Sequence, residues 1–185
     1  MPNSEQPTET KAFAQEDIVL GPELPEDGAQ IEELLDRAFG PDRQQKAVYR
    51  LRKNLAPVSE LSTVARVHGV LRGAIRYSPV KIGDMKASAL LLGPLAVDPA
   101  VRGAGVGIAL MHQTLDKAKA LGHEIVVLVG DAPYYARVGF TPAAARTLTI
   151  PGQQDSDRIL ALALTEEALQ GVAGELTPDQ GPSVS

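Results

Sequence analysis

The 185-residue sequence contains no cysteine, which excludes disulfides, thiolate metal sites and a catalytic thiol. It also has no apolar run that approaches the ~18 residues of a membrane span. Residues 1–10 are polar and lack the apolar core of a secretory signal. These absences predict a cytoplasmic protein that does not associate with membranes.

Aromatic side chains are scarce, at 4% of the residues, and no dense cluster of Lys and Arg is interleaved with them. This composition argues against nucleic acid as a partner. His68, His112 and His123 lack the spacing of metal ligands, and His123-Glu124 is not followed by a second histidine one turn later. No metal site is therefore predicted.

Charge is unevenly distributed along the chain, although the net charge is only −5. Residues 1–36 hold ten acidic side chains and one basic one, and residues 155–185 hold six and one. The middle segment therefore has sixteen basic against seven acidic side chains. This pattern fits an anionic ligand of the middle segment, and it equally fits two acidic ends that keep the protein soluble.

The length and a hydrophobic content of 44% predict one globular domain. We place it at 13–170, between a polar tail at 1–12 and a second tail at 171–185. Hydrophobic periodicity predicts helices that begin near Pro25 and Asp42 and two more over 105–121 and 132–137. Strands are predicted at 17–20, 61–67, 70–77, 87–97, 124–129, 140–150 and 159–164. Antiparallel strands followed by a strand, helix, strand unit indicate a mixed α/β sheet.

A glycine-rich loop lies between the predicted strand at 87–97 and the helix that follows it. It contains the pattern Arg-x-x-Gly-x-Gly at Arg102, Gly105 and Gly107. Free backbone N–H groups and the helix dipole make such a junction a cradle for pyrophosphate. No lysine follows Gly107, which excludes a Walker A loop, and Ile108 breaks the dinucleotide fingerprint Gly-x-Gly-x-x-Gly.

The loop resembles the acetyl-CoA pyrophosphate loop of the GNAT superfamily of N-acetyltransferases. Two flanking elements strengthen the resemblance: Leu-Ala-Val-Asp-Pro at 95–99 and Tyr-Tyr-Ala-Arg-Val-Gly-Phe at 134–140. The resemblance covers about 17–165. It implies a mixed, mostly antiparallel sheet of about seven strands flanked by helices, whose fourth and fifth strands splay apart. Gly93-Pro94 supports such a break, because proline cannot donate to a ladder and glycine often marks a bulge.

The resemblance also implies which residues bind acetyl-CoA as co-substrate. The Leu95 N–H would bond the acetyl carbonyl and so act in catalysis, and Val97 would pair with pantetheine amides. Amides of the glycine loop would hold the pyrophosphate, with charge from Arg102. The implied cofactor-binding residues are Leu95, Ala96, Val97, Arg102, Gly103, Ala104, Gly105, Val106, Gly107, Ile108 and Tyr134.

By the same resemblance, Tyr135 aligns with the family's catalytic acid. A phenol suits that role, because it is protonated at neutral pH and can donate a proton to the departing sulfur. Tyr134 is the second candidate for this role. Some relatives carry a glutamate base four residues before the acetyl-binding position, where this chain has Leu91. The base is then Glu32, Glu33, Asp131 or a water chain, or the amine arrives neutral. Asp131 is the candidate we favour, although it also fits a helix cap.

The resulting hypothesis is acetyl transfer from acetyl-CoA to the primary amine of a small molecule, by direct attack in a ternary complex. The acceptor site is expected between 39–57 and 141–158. Basic side chains on the second helix favour an anionic amine. A non-catalytic acetyl-CoA sensor and a protein or peptide N-acetyltransferase are the alternatives, and a homodimer through the C-terminal strands is compatible with the resemblance.

Overall fold

The computed structural model describes residues 14–181, so the predicted tail at 1–12 lies outside the described residues. The strands are β1 (Ile18–Pro22), β2 (Thr63–Val67), β3 (Val70–Ile82), β4 (Ala87–Val97), β5 (Ile125–Val129), β6 (Leu148–Thr149), β7 (Ile159–Ala163) and β8 (Gly174–Pro178). The helices are α1 (Gly28–Phe39), α2 (Ala47–Arg52), α3 (Val106–Ala120) and α4 (Ala132–Ala136). Short 3₁₀ turns connect several of these elements.

The strands form a mixed, mostly antiparallel sheet in the order β1-β2-β3-β4-β5-β7. β8 pairs with the far end of β3 and also with β6. Of the strand pairings within 14–181, only β4 with β5 and β6 with β8 are parallel. The fold class predicted from the sequence is thus confirmed, with eight strands in the described part of the chain in place of about seven.

Helices cover both faces of the sheet. Alternate side chains of a strand point to opposite faces, and apolar side chains of β3 lie on both of them. Ile75 and Tyr77 of β3 pack in the cluster that contains Leu110 and Met111 of α3. Ala74, the residue before Ile75, packs instead with α1 through Ile31, Leu34 and Leu35. The two central helices are therefore held on opposite sides of β3.

The middle of the sheet opens between β4 and β5. Their parallel pairing is confined to Leu90 with Val126 and Leu91 with Val127, after which the two strands separate. At the same point β4 bulges, because the pairing with β3 shifts between Tyr77 opposite Leu92 and Ile75 opposite Leu95. Gly93 and Pro94 are the residues of this bulge, as the sequence predicts.

Two segments differ from their predicted structure. The strand expected at 140–150 is reduced to Leu148–Thr149 and a single bridge at Thr141. Pro142 removes a backbone donor, and Ala143–Ala145 forms a 3₁₀ turn. The second helix begins at Ala47, since Asp42 lies in a preceding 3₁₀ turn and does not cap it.

The C-terminal segment is also different, because part of the tail expected at 171–185 forms β8. Leu176 in this strand is fully buried, and it packs with Ile82 and Leu148. A single apolar side chain between polar neighbours gives only a weak strand pattern in the sequence. The long-range pairing with β3 supplies the order that local sequence does not.

Candidate active site

The splayed half of β4 presents backbone N–H groups to the gap between β4 and β5. The Asp98 N–H donates to the Arg72 carbonyl of β3 at 2.7 Å. Successive N–H groups of a strand point to alternate sides, so those of Leu95 and Val97 point away from β3. β5 has already diverged there, and these two donors therefore face the gap that the sequence predicts for pantetheine.

The N-terminus of α3 lies beside this gap. Gly105 precedes the helix with a φ of 83°, a left-handed conformation that glycine adopts without strain. The first backbone bond of the helix is donated by Ala109 to the Gly105 carbonyl at 2.9 Å. The N–H groups of Val106, Gly107 and Ile108 therefore have no backbone partner among the described residues, which suits an anion.

A cavity of about 430 Å³ connects the β4 amides to the α3 N-terminus. Every cofactor-binding and catalytic residue predicted from the sequence lines it except Ala104. The Ala104 N–H already donates to the Val101 carbonyl at 3.1 Å, so this amide is engaged within the loop. The structure thus brings the other predicted residues together around one cavity, and their roles stay predictions.

Tyr134 stands over the α3 N-terminus. A Cβ atom added to Gly107 would lie 2.2 Å from the Tyr134 hydroxyl oxygen, so the ring occupies the space that a side chain would take. Arg137 lies 6.0 Å from the centroid of the Tyr134 ring and adds positive charge to the cavity. No role was assigned to Arg137 from the sequence, although its position in the Tyr-Tyr-Ala-Arg motif indicates that it lies near the site.

A second cavity, of about 320 Å³, lies on the other side of Leu95. It is bounded by residues of α2 and by Gly152, Gln153 and Arg158, which is where the sequence predicts the acceptor. Phe39, Leu95 and Tyr135 line both cavities. The two spaces therefore meet at the residue expected to bind the acetyl carbonyl and at the residue expected to be the acid.

Tyr135 is held at this junction by ring contacts. Its ring meets Tyr134 edge-on at 5.0 Å and Phe140 at 6.2 Å between centroids. Burial, together with the neighbouring Tyr134, raises the pKa of Tyr135 to about 12, although the charge of Arg52 acts in the opposite direction. The phenol is thus protonated at neutral pH and able to donate a proton. Tyr134 lines only the first cavity, so Tyr135 is better placed as the acid.

The carboxylates that were candidate bases lie elsewhere. Glu32 forms ion pairs with Arg43 and Arg76, Glu33 is exposed on α1, and none of the candidates lines either cavity. Asp131, which we favoured, is exposed at the start of α4, and its side chain caps nothing. In fact no carboxylate or histidine within 14–181 lines the second cavity.

Two further negative findings concern the described part of the chain. No group of three or more His, Asp or Glu side chains there is arranged to hold a metal ion. None of the helices in that part has the length and apolar character needed to cross a membrane.

The sheet of this protein opens between two strands, beside a helix that begins after a glycine-rich loop. Acetyltransferases that take their acyl group from a nucleotide thioester have this arrangement. The sequence profile of the Acetyltransferase (GNAT) family matches residues 28–140. The chain belongs to this family, and it is an N-acetyltransferase.

Individual proteins of this kind are similar to the chain over most of its length. The chain is 34% identical over 160 residues to the uncharacterized N-acetyltransferase YhbS of Escherichia coli K12, covering 85% of this chain and 93% of that protein. The crystal structure of Escherichia coli YhbS in complex with CoA superposes with a TM-score of 0.73 at 31% identity, over 89% of this chain and 91% of that one. A GNAT acetyltransferase of Brucella melitensis in complex with acetyl-CoA has a TM-score of 0.58 at 30% identity, over 80% and 88%.

Proposed function

We propose that this chain transfers acetyl from acetyl-CoA to a primary amine of a small molecule by direct attack in a ternary complex. The observation that carries the proposal is the meeting of two cavities at Leu95 and Tyr135. One cavity has the free amides that a pyrophosphate and a pantetheine need, and the other has room for a second substrate. The relatives bound to CoA and to acetyl-CoA support the choice of co-substrate.

In this proposal the pyrophosphate accepts hydrogen bonds from the amides of Val106, Gly107 and Ile108, and Arg102 lends charge. The pantetheine arm lies between β4 and β5 and pairs with Val97. The Leu95 N–H donates to the acetyl oxygen, where negative charge grows as the amine attacks. Removing one such donor from an oxyanion site typically costs ~3–4 kcal/mol of transition-state stabilisation.

Bond changes then follow directly. The amine nitrogen attacks the carbonyl carbon, the C–S bond breaks, and the sulfur takes a proton from the Tyr135 hydroxyl. The nitrogen loses one proton, which returns to the phenol through solvent. Among the described residues, no carboxylate lines the second cavity, in which the acceptor is expected to bind. The amine is therefore expected to react in its neutral form. The cations there favour that form by repelling an ammonium group.

The test combines turnover with two matched variants. The chain has no cysteine, so a thiol reagent reports only the CoA released from acetyl-CoA in the presence of an amine panel. Tyr135→Phe should lower kcat by about 10²–10⁴-fold with an unchanged Kd for acetyl-CoA. Tyr134→Phe, the neighbouring control, should change kcat far less.

Each alternative has a distinct outcome. Binding of acetyl-CoA in calorimetry without CoA release for any amine or peptide would indicate a sensor module. Acetylation of peptides but not of free amines would indicate a protein N-acetyltransferase. An absence of heat with acetyl-CoA would refute the proposal altogether.

A further inference from the structure

The second cavity carries positive charge that nothing within the described residues balances. Lys46, Arg52 and Arg158 line it, and no carboxylate does. None of these three side chains lies within ion-pair distance of an acidic group in 14–181. Arg37, Arg43, Arg66, Arg72, Arg76 and Lys81 each pair with an aspartate or glutamate. Three cations without an acidic partner therefore line the cavity in which the acceptor is expected.

Arg52 is the most buried of the three. Its Nε and Nη1 atoms are out of contact with solvent and have no hydrogen-bond partner in the described part of the chain. The remaining nitrogen, Nη2, lies 3.5 Å from the Leu92 carbonyl oxygen, and the guanidinium carbon lies 5.0 Å from the centroid of the Tyr49 ring. Burial lowers the pKa of Arg52 to about 10, so the side chain is still charged at neutral pH.

An unpaired buried guanidinium is costly to the free protein. Desolvating a charge without a counter-ion is unfavourable, and a bound anion would offset that cost. Arg presents planar donors that match carboxylate and phosphate oxygens. The cavity therefore has the chemistry of a receptor for one small anionic group.

The position of Arg52 limits the size of the ligand. A Cβ atom on Gly93 would lie 2.3 Å from Nη2, so the guanidinium rests directly against the β4 bulge. Leu95, which lines the same cavity, is two residues further along the strand. A cavity of about 320 Å³ suits a molecule the size of an amino acid.

We propose that Arg52 binds a carboxylate or phosphate group of the acceptor, which is a small amine whose anionic group lies a few bonds from its nitrogen. This inference rests on the proposed acetyl transfer and narrows its substrate class. Lys46 and Arg158, at the rim, add attraction for the same anion. The amine is then directed toward Leu95 and Tyr135.

The first experiment compares amines that carry an anionic group with matched amines that lack it. β-Alanine is matched with β-alaninamide, and 2-aminoethyl phosphate with ethanolamine, each assayed by CoA release. We expect kcat/KM to be about 10- to 100-fold higher for at least one of the two anions than for its neutral partner. The pair that shows the preference distinguishes carboxylate from phosphate. Equal rates within both pairs would overturn the inference while leaving acetyl transfer intact.

The second experiment tests the residue. Arg52→Gln should raise KM for the preferred anion by about 10- to 100-fold and so reduce its advantage over the neutral partner. Arg52→Lys should restore part of that advantage, because the charge returns without the planar donors. Arg50→Gln is the control, since Arg50 is exposed on the same helix and lines a different cavity. A preference that survives in Arg52→Gln would assign the anion to another group.

A binding measurement keeps the two proposals separable. Calorimetry of each probe against the protein saturated with CoA needs no turnover, so it reports on the anion site even if no amine is acetylated. Heat with an anion but not with its neutral partner, lost in Arg52→Gln, would support the anion site. Heat with neither anion would refute it, whatever the outcome for acetyl-CoA.

Discussion

At the scale of single residues, two adjacent tyrosines take different places in the candidate site. Tyr134 covers Gly107 at the start of α3, and Tyr135 stands where the two cavities meet. Neighbouring residues of a helix point about 100° apart, so a single turn supplies both positions. The doubled tyrosine was evident in the sequence, but the structure was needed to show which ring faces which cavity.

The contact between Gly107 and Tyr134 can be tested with a double mutant. Gly107→Ala should weaken acetyl-CoA binding about 10-fold or more, because the new Cβ would displace the Tyr134 hydroxyl, 2.2 Å away. Tyr134→Phe removes that oxygen and leaves the ring Cζ at 3.5 Å, an ordinary contact. The double variant should therefore bind better than Gly107→Ala alone in calorimetry. Additive losses would contradict this packing.

Stability at alkaline pH should report the burial of Tyr135. Its pKa is about 12 in the folded chain against 10.0 for an exposed phenol, so the unfolded state loses its proton first as the pH rises. This contribution to the free energy of unfolding is intact below pH 10 and is lost between pH 10 and 12. We expect Tyr135→Phe to lose about 1 kcal/mol less than the original chain between pH 9 and 11 in urea unfolding. Identical losses in both proteins would contradict the burial.

At the scale of elements, the site exists because α3 approaches β3 closely beside the β4 bulge. Gly73 of β3 permits that approach, since a Cβ there would lie 2.7 Å from Val106 Cγ1 and 3.1 Å from Leu110 Cδ1. Val106 is also the first residue of α3, next to the amides expected to bind pyrophosphate. Packing of the helix and geometry of the loop are therefore coupled.

Gly73→Ala should test this coupling. Overpacking typically costs ~1–3 kcal/mol, and here it should also weaken acetyl-CoA binding by moving the start of α3. Gly21→Ala on β1 is the matched control, because nothing lies within 4 Å of its Cβ position. Chemical denaturation and calorimetry measure the two effects. Loss of stability with unchanged affinity would show that helix position and binding are independent.

At the scale of the whole molecule, the C-terminal strand completes the sheet. β8 pairs with the end of β3, and Leu176 packs in one hydrophobic cluster with Ile82, Leu148 and Ala161. That cluster also contains Leu51 of α2, the helix that supplies Arg52. The C-terminal strand thus packs with the helix that forms one wall of the second cavity.

Leu176→Ala should lower the free energy of unfolding by about 2–5 kcal/mol, because it leaves a cavity in a fully buried position. Glu175→Ala, exposed on the same strand, is the control and should change stability by less than about 0.5 kcal/mol. Thermal or urea unfolding provides the measurement. Equal effects of the two substitutions would mean that β8 does not pack as described.

The local features of this protein follow from its sequence. Hydrophobic periodicity predicts the bounds of β4, and the backbone restrictions of Gly and Pro predict the bulge at Gly93-Pro94. The order of the motifs predicts that α3 begins after a glycine-rich loop and that the two tyrosines follow the next strand. Each of these depends on neighbours within a few residues, which the sequence shows directly.

Only the tertiary structure decided the remaining features. β8 depends on pairing with a strand about a hundred residues earlier, and the segment at 140–150 has only a single bridge to β7. The second cavity combines α2, β4 and a distant loop, and three cations that line it have no acidic partner within 14–181. Burial and ion pairing are set by residues far apart in the chain, so local patterns do not reveal them.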